Sequence, residues 1–273
     1  MSSFICPVCA GELHSNGKSL FCLKNHNFDI SKSGYTNLLL SQSTKAKHHG
    51  DDKLMVRSRQ AFLNKGYYKP LLDRICEIVK PYAFTGARIL DAGCGECWYT
   101  ANLYEYLVQN QITPEMFGVD ISKDALAAGA KRNRNIELAV AGVFNLPVSE
   151  DSCDMLLSLF APFSLNEFRR VLKKGGILVK AFPLEKHLWS LKSAVYDKPY
   201  ENETAETEAA GFELIRKSEV RGRIRLDCSE DILNLFAMTP YYYKTSAEDQ
   251  QKLQAVPAID TETEFGIFVY RKE

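Results

Sequence analysis

The sequence predicts an α/β protein, a mainly parallel sheet covered by helices on both faces, with a small metal-binding domain in front. Three observations carry this. Short apolar runs recur at helix-length intervals from about residue 86, three cysteines and a histidine cluster within the first 26 residues, and a glycine-rich turn follows the first of the apolar runs.

In chain order the runs are "ARILDAG", "MFGVDI", "IELAVAG", "DMLLSLF" and "GGILVKAF". Each is short and rich in β-branched or aromatic residues, as buried strands are. "RGRIRLD" and "TEFGIFVYRK" read as two further strands that extend the sheet with an antiparallel edge. Before the sheet, "LMVRSRQAFLNKGYYKPLLDRICEIVKPY" is helical in pattern. The acidic "ENETAETEAAGFEL" reads as the start of a solvated helix, and "CSEDILNLFAMTPYYYK" as a helix capped by Ser229 or Asp227. The chain divides into residues 1–42, a small module holding the clustered cysteines and histidine; 43–85, a basic linker and helices; and 86–273, the main α/β domain.

Charge is unevenly spread. The whole chain balances 34 Lys and Arg against 34 Asp and Glu, yet residues 1–80 hold 12 Lys or Arg and 6 Asp or Glu. His14, His26, His48 and His49 lie in the same part. A basic, histidine-bearing front end is a candidate polyanion-binding face. No apolar run approaches the roughly 20 residues needed to cross a bilayer, and "MSSFICPVCA" lacks the charged-then-apolar order of a signal peptide. The expectation is a cytoplasmic protein, away from membranes, in which the 8 cysteines stay reduced and clustered ones bind metal.

The cluster reads Cys6-x2-Cys9-x12-Cys22-x3-His26. A Cys-x2-Cys turn points two thiolates into one volume, and the second pair closes a tetrahedron suited to Zn2+. Four protein ligands leave no open position, so the role is structural. A module of some forty residues is also too small to fold on its own core, which a metal staple remedies. His14 competes with His26 for the fourth place but falls inside the loop between the pairs.

"ILDAGCGECWYT" places Asp91 at a strand end, then Gly93 and Gly95 where backbone must approach a ligand, then Glu96 at the start of a helix. A dinucleotide fold would carry a third glycine at position 98; this chain has Trp98. The pattern matches the D-x-G-x-G of S-adenosylmethionine-dependent methyltransferases, so the expected fold is a Rossmann-like domain of that kind. Asp120, ending "GVDI", is placed to accept both ribose hydroxyls, and Ser122 to cap the following helix. Where such enzymes often carry an acidic residue against adenine, this chain has Gly142, leaving the base to backbone, Val143 and Phe144.

With "CPVC", "CLKNHNFDISKSGYTNLL", "GDDKLMVRSRQAFLNKGYYKPL", "LDAGCGECWYT", "GVDISKDA" and "AFPLEKHLWSLK", the chain resembles the bacterial 23S ribosomal RNA guanine-N1 methyltransferases of the RlmA family. The resemblance implies a homodimer, zinc at Cys6, Cys9, Cys22 and His26, and methylation of a guanine in hairpin 35 of 23S rRNA. It also implies that Tyr68 and His187 meet the cofactor. Family members have "GEGYYT" where this chain has "GECWYT", so Cys97 and Trp98 depart from the pattern.

Such a target needs an unpaired or splayed guanine, stacking partners and a basic track. Phe62, Tyr67, Tyr68, Phe84, Trp189 and Tyr241 to Tyr243 are stacking candidates; Lys45, Lys47, Arg57, Arg59, Lys65 and Lys69 are candidates for phosphate contacts. No residue is assigned as the general base. A zinc-ribbon RNA binder without catalysis would not need Asp91, Gly93, Gly95 and Asp120. A small-molecule methyltransferase would not need the basic zinc module.

Overall fold

The structure is a computed structural model that describes residues 1–40, 50–203 and 206–273. A three-stranded sheet is formed by β1 (His14–Ser15), β2 (Ser19–Phe21) and β3 (Asn27–Asp29). The main sheet has eight strands: β4 (Tyr35–Asn37), β5 (Arg88–Ala92), β6 (Glu115–Asp120), β7 (Glu137–Val140), β8 (Cys153–Leu159), β9 (Leu172–Pro183), β10 (Phe212–Leu226) and β11 (Ile259–Lys272). Their spatial order is β10-β11-β9-β8-β5-β6-β7-β4. The pairs from β9 to β4 are parallel, and β11 and then β10 add the antiparallel edge expected from the sequence.

The chain runs outward from β5 through β6 to β7, then returns to the other side of β5 for β8 and β9. The switch point therefore lies at the carboxyl end of β5, where open α/β sheets open a ligand crevice. Successive residues of each strand serve opposite faces, so Ile89 and Met116 belong to one core while Leu90 and Phe117 belong to the other. The first core is roofed by α1 (Lys53–Asn64), α2 (Lys69–Val79), α3 (Trp98–Gln109), α4 (Lys123–Gly129), α6 (Trp189–Val195), α7 (Ser229–Ala237) and α8 (Ala247–Gln254). The second is closed by α5 (Leu165–Val171) and, unexpectedly, by the N-terminal residues.

The zinc module is not a separate bead. Phe4 is buried edge-on against Phe117 with ring centroids 5.5 Å apart, Ser2 and Ser3 bond to Glu137 and Glu115, and β4 pairs in parallel with β7. Helices α1 and α2 are part of the main body, with Phe62, Leu71, Ile75 and Ile78 fully buried in the first core.

Two sequence expectations are corrected. Among the described residues, 201–211 form no helix: the stretch offers no apolar stripe, Gly211 turns with φ +80°, and Phe212 already begins β10. Helix α7 takes Cys228 as its N-cap residue, without a side-chain cap, and the Ser229 hydroxyl donates to the Val256 carbonyl instead. Ser122 caps α4 as expected, accepting from the Ala125 N–H.

Candidate functional site

The metal centre is built from two turns. Ala10 N–H donates to the Cys6 carbonyl and Asn25 N–H to the Cys22 carbonyl, with Ala10 and Asn25 in the left-handed region. This brings Cys6, Cys9, Cys22 and His26 together, their ligand atoms all within 4.8 Å of one another. His26 Nδ1 is 3.4 Å from both Cys6 Sγ and Cys22 Sγ, and Cys9 Sγ is 3.7 Å from Cys22 Sγ. A tetrahedron with thiolate arms of about 2.3 Å has edges of about 3.8 Å, so the spacing fits Zn2+. Although burial opposes it, N–H groups of the second turn and the neighbouring Cys9 and His26 lower the Cys22 thiol to about 6. His14 lies on β1, outside the set.

The glycine turn sits at the switch point. Gly93 has φ +91°, and a Cβ there would come 2.5 Å from that of Ala161, so only glycine fits. Gly95 has φ +55°, and its N–H donates to Asp120 Oδ2 at 2.9 Å. Asp120 Oδ1 accepts the Ser122 N–H at 2.8 Å. Those two bonds fix the carboxylate and leave it lone pairs for further hydroxyl donors. Cys97, where the resembling family has glycine, also takes a left-handed φ of 61°, so this chain carries a side chain where glycine is favoured.

Asp91 is buried beside the turn. Thr100 donates to its Oδ2 at 2.6 Å, while Oδ1 has no partner, and burial pushes the carboxyl up to about 7. The hydroxyls of Tyr99 and Ser158 are also buried without partners. Orphaned polar atoms on β5, β8 and the first turn of α3 are what a polar, partly cationic ligand would satisfy. The residues present thus fit S-adenosylmethionine. Glu96 Oε2 is 2.5 Å from the Arg132 guanidinium, which also donates to the Glu96 carbonyl, while its buried Oε1 has no partner.

Tyr68 and His187 are brought together at one side of this crevice. Glu264 N–H donates to His187 Nδ1 at 3.1 Å, so the ring proton sits on Nε2, 3.3 Å from the Tyr68 hydroxyl. Burial, with the charge of Lys192, pulls His187 down to about 3, so it stays neutral. Tyr68 packs on Phe265, Phe265 on Phe160 and Phe160 on Tyr99, an aromatic path from His187 to the cofactor turn. Phe160 is 42 % exposed at the end of β8 and was not singled out from sequence.

Between the metal knuckle and the sheet lies a cleft of about 640 Å3. Val8 and Cys9 line one wall, Ile121, Gly142 and Phe144 the other. Phe144 is 67 % exposed there, whereas Val143 is buried.

Of the stacking candidates, Phe62 is buried and stacks on Tyr67 at 4.8 Å, while Phe84 and Tyr243 are exposed. Of the phosphate candidates, Lys65 is paired with Asp231 and Lys69 with Asp73, while Arg57 is exposed on α1. Lys45 and Lys47 fall outside the described residues. Arg59 points the opposite way, onto the glycine turn. Its place on the buried stripe of Met55, Phe62 and Leu63 was readable from helical spacing.

The sequence matches the zinc-ribbon family described as "RlmA, N-terminal" over residues 4–47 and a methyltransferase domain family over residues 83–239. It is 32% identical to a 23S rRNA (guanine(748)-N(1))-methyltransferase of Streptomyces fradiae, over 93% of this chain and 91% of that protein. It is 31% identical to YxjB of Bacillus subtilis (strain 168), provisionally named a 23S rRNA (guanine-N(1)-)-methyltransferase, over 99% and 98% of the two chains. Among solved structures it resembles the YcgJ protein of Bacillus subtilis with a TM-score of 0.50 at 16% identity, covering 74% of this chain and 97% of that one, a likeness of fold.

Proposed function

Because this chain belongs to the family of 23S rRNA (guanine-N1)-methyltransferases, we propose that it transfers the methyl group of S-adenosylmethionine to N1 of a guanine in hairpin 35 of 23S rRNA, working as a homodimer. One observation supports an RNA rather than a small-molecule acceptor. The zinc knuckle and the carboxyl ends of β6 and β7 wall the same cleft, so a strand held by the module is carried to the rim of the cofactor crevice. Hairpin 35 and the dimer rest on the family resemblance.

When bound, the cofactor supplies an electrophilic sulfonium methyl, and the chain supplies position. Asp120 fixes the ribose end and Gly93 and Gly95 admit it closely, while the free Oδ1 of Asp91 offers an acceptor for a cationic group. Tyr68, buried and held protonated, has His187 as a donor to its oxygen, which leaves its own proton to donate. Because His187 has no free lone pair facing Tyr68, the proton leaving guanine N1 does not go to it.

The test is mass mapping of 23S rRNA from a deletion strain, followed by methylation of that RNA with purified protein. A single methyl missing from N1 of a hairpin-35 guanine, restored in vitro, is expected. Unchanged rRNA methylation would overturn the reading.

A further inference from the structure

Arg59 lies on the inner face of α1, one turn from Met55 and from Leu63, both buried. Its Nη1 is 3.7 Å from where a Cβ on Gly95 would stand, so the guanidinium covers the second glycine of the turn. Two anchors hold it there: an ion pair from Nη1 to Asp51, and a bond of 3.1 Å from Nη2 to the Met238 carbonyl. Asp51 is itself fixed to the site, because its carbonyl accepts the hydroxyl of Ser122, two residues past Asp120, at 2.6 Å. At Gly50 a Cβ would come 2.8 Å from Ile121, so this segment lies across the end of β6.

The turn is surrounded by acids: Asp51, Asp91, Glu96 and Asp120. Arg132 is spent on Glu96 and on the Asn64 side chain. Arg59 therefore faces the turn as a cation with donors to spare, since a guanidinium offers five N–H groups and its two anchors use two. Without it, a ligand carboxylate reaching this place would meet these carboxyl groups and only the already paired Arg132.

We propose that Arg59 binds the α-carboxylate of the methionyl part of S-adenosylmethionine, with Asp51 and the Met238 carbonyl as the groups that aim it. The proposal rests on the cofactor reading and adds to it the residue that recognises the amino-acid end. It removes Arg59 from the RNA-contacting track expected from the sequence. It also gives α1 and the carboxyl end of α7 a part in cofactor binding, because each supplies one side of the arginine's support.

The test compares S-adenosylmethionine with decarboxylated S-adenosylmethionine, which keeps the sulfonium and ammonium and lacks only the carboxylate. Calorimetry on the full chain should show wild type preferring S-adenosylmethionine. Arg59→Ala should lose tenfold or more for S-adenosylmethionine, about 1.4 kcal/mol or more, and bind the decarboxylated form as wild type does. Arg59→Lys, which keeps a charge but loses the planar fork, should fall between. Retained binding of the decarboxylated form shows that the variants are folded. Equal losses for both ligands, or none for either, would overturn the role of Arg59 alone. Wild type that binds neither ligand would overturn the cofactor reading and this proposal together.

Discussion

His187 and Tyr68 meet through one hydrogen bond, Nε2 to hydroxyl at 3.3 Å, and its direction is set by the Glu264 N–H on the far side of the imidazole. With a pKa drawn down to about 3, His187 acts as a neutral donor across the working range of pH. His187→Gln keeps a donor near Nε2, so it should retain activity within about tenfold and leave the pH profile unmoved. Rates measured from pH 5 to 9 check this. Loss of an acidic limb in the variant would make His187 a titrating base after all.

Asp91 gives the opposite pH behaviour. Its carboxyl is raised to about 7 because burial disfavours the charged form, and a bound cation favours that form. Cofactor binding should therefore release a proton below about pH 7. Affinity should rise with pH, by up to about tenfold per unit, and level off above about 7. Titrations in buffers of differing ionisation enthalpy measure the proton directly. Asp91→Asn should flatten the dependence; if it persists in that variant, another group carries it.

Metal removal is predicted to act locally. Purified protein should hold one zinc per chain, and Cys22→Ser should lose most of it. Hydrogen exchange should then quicken over residues 6–37, β4 included, while β5, β6 and β8 keep their protection, since these central strands are anchored by their own packing. Protein that is zinc-free when freshly purified would sink the metal assignment.

For RNA, the useful variant leaves Arg59 intact. Replacing Lys45, Lys47 and Arg57 by Ala should reduce the slope of log affinity against log salt by about 0.7–0.9 for each phosphate that the variant no longer neutralises. Cofactor affinity should stay within twofold. Salt titrations of a hairpin-35 fragment decide it, and an unaltered slope would place the RNA track elsewhere.

The sequence was most readable where chemistry forces residue type. Spacing alone groups Cys6, Cys9, Cys22 and His26 and sets Gly93, Gly95 and Asp120 at one turn, as the structure places them. The strands showed because those buried on both faces are continuously apolar. What stayed hidden depends on neighbours distant in sequence. Spacing places Glu96 at the helix start, but its ion pair with Arg132, 36 residues on, cannot be read from it. Arg59 falls on the buried stripe of α1 by spacing, but that the stripe meets the glycine turn shows only once α1 is packed there. The stretch 201–211 has helix-forming letters, but Gly211 turns and Phe212 pairs with Lys272, so its described residues 206–211 lead into a strand.

The three residues of β4 close one edge of the eight-stranded sheet, pairing Tyr35 to Asn37 with Leu138 to Val140. At the far edge β10 bears Arg221, Arg223 and Arg225, charges that discourage another chain from adding on. β7 has no such guard of its own: its residues from Leu138 to Val140 are buried and apolar. Its protection is lent by a segment that follows directly on the metal knuckles. Loss of zinc is therefore expected to reach beyond the knuckles, because a freed β4 would leave β7 open to strand addition. Chelator-treated protein is then expected to aggregate with an order in concentration above one, and light scattering against protein concentration checks it.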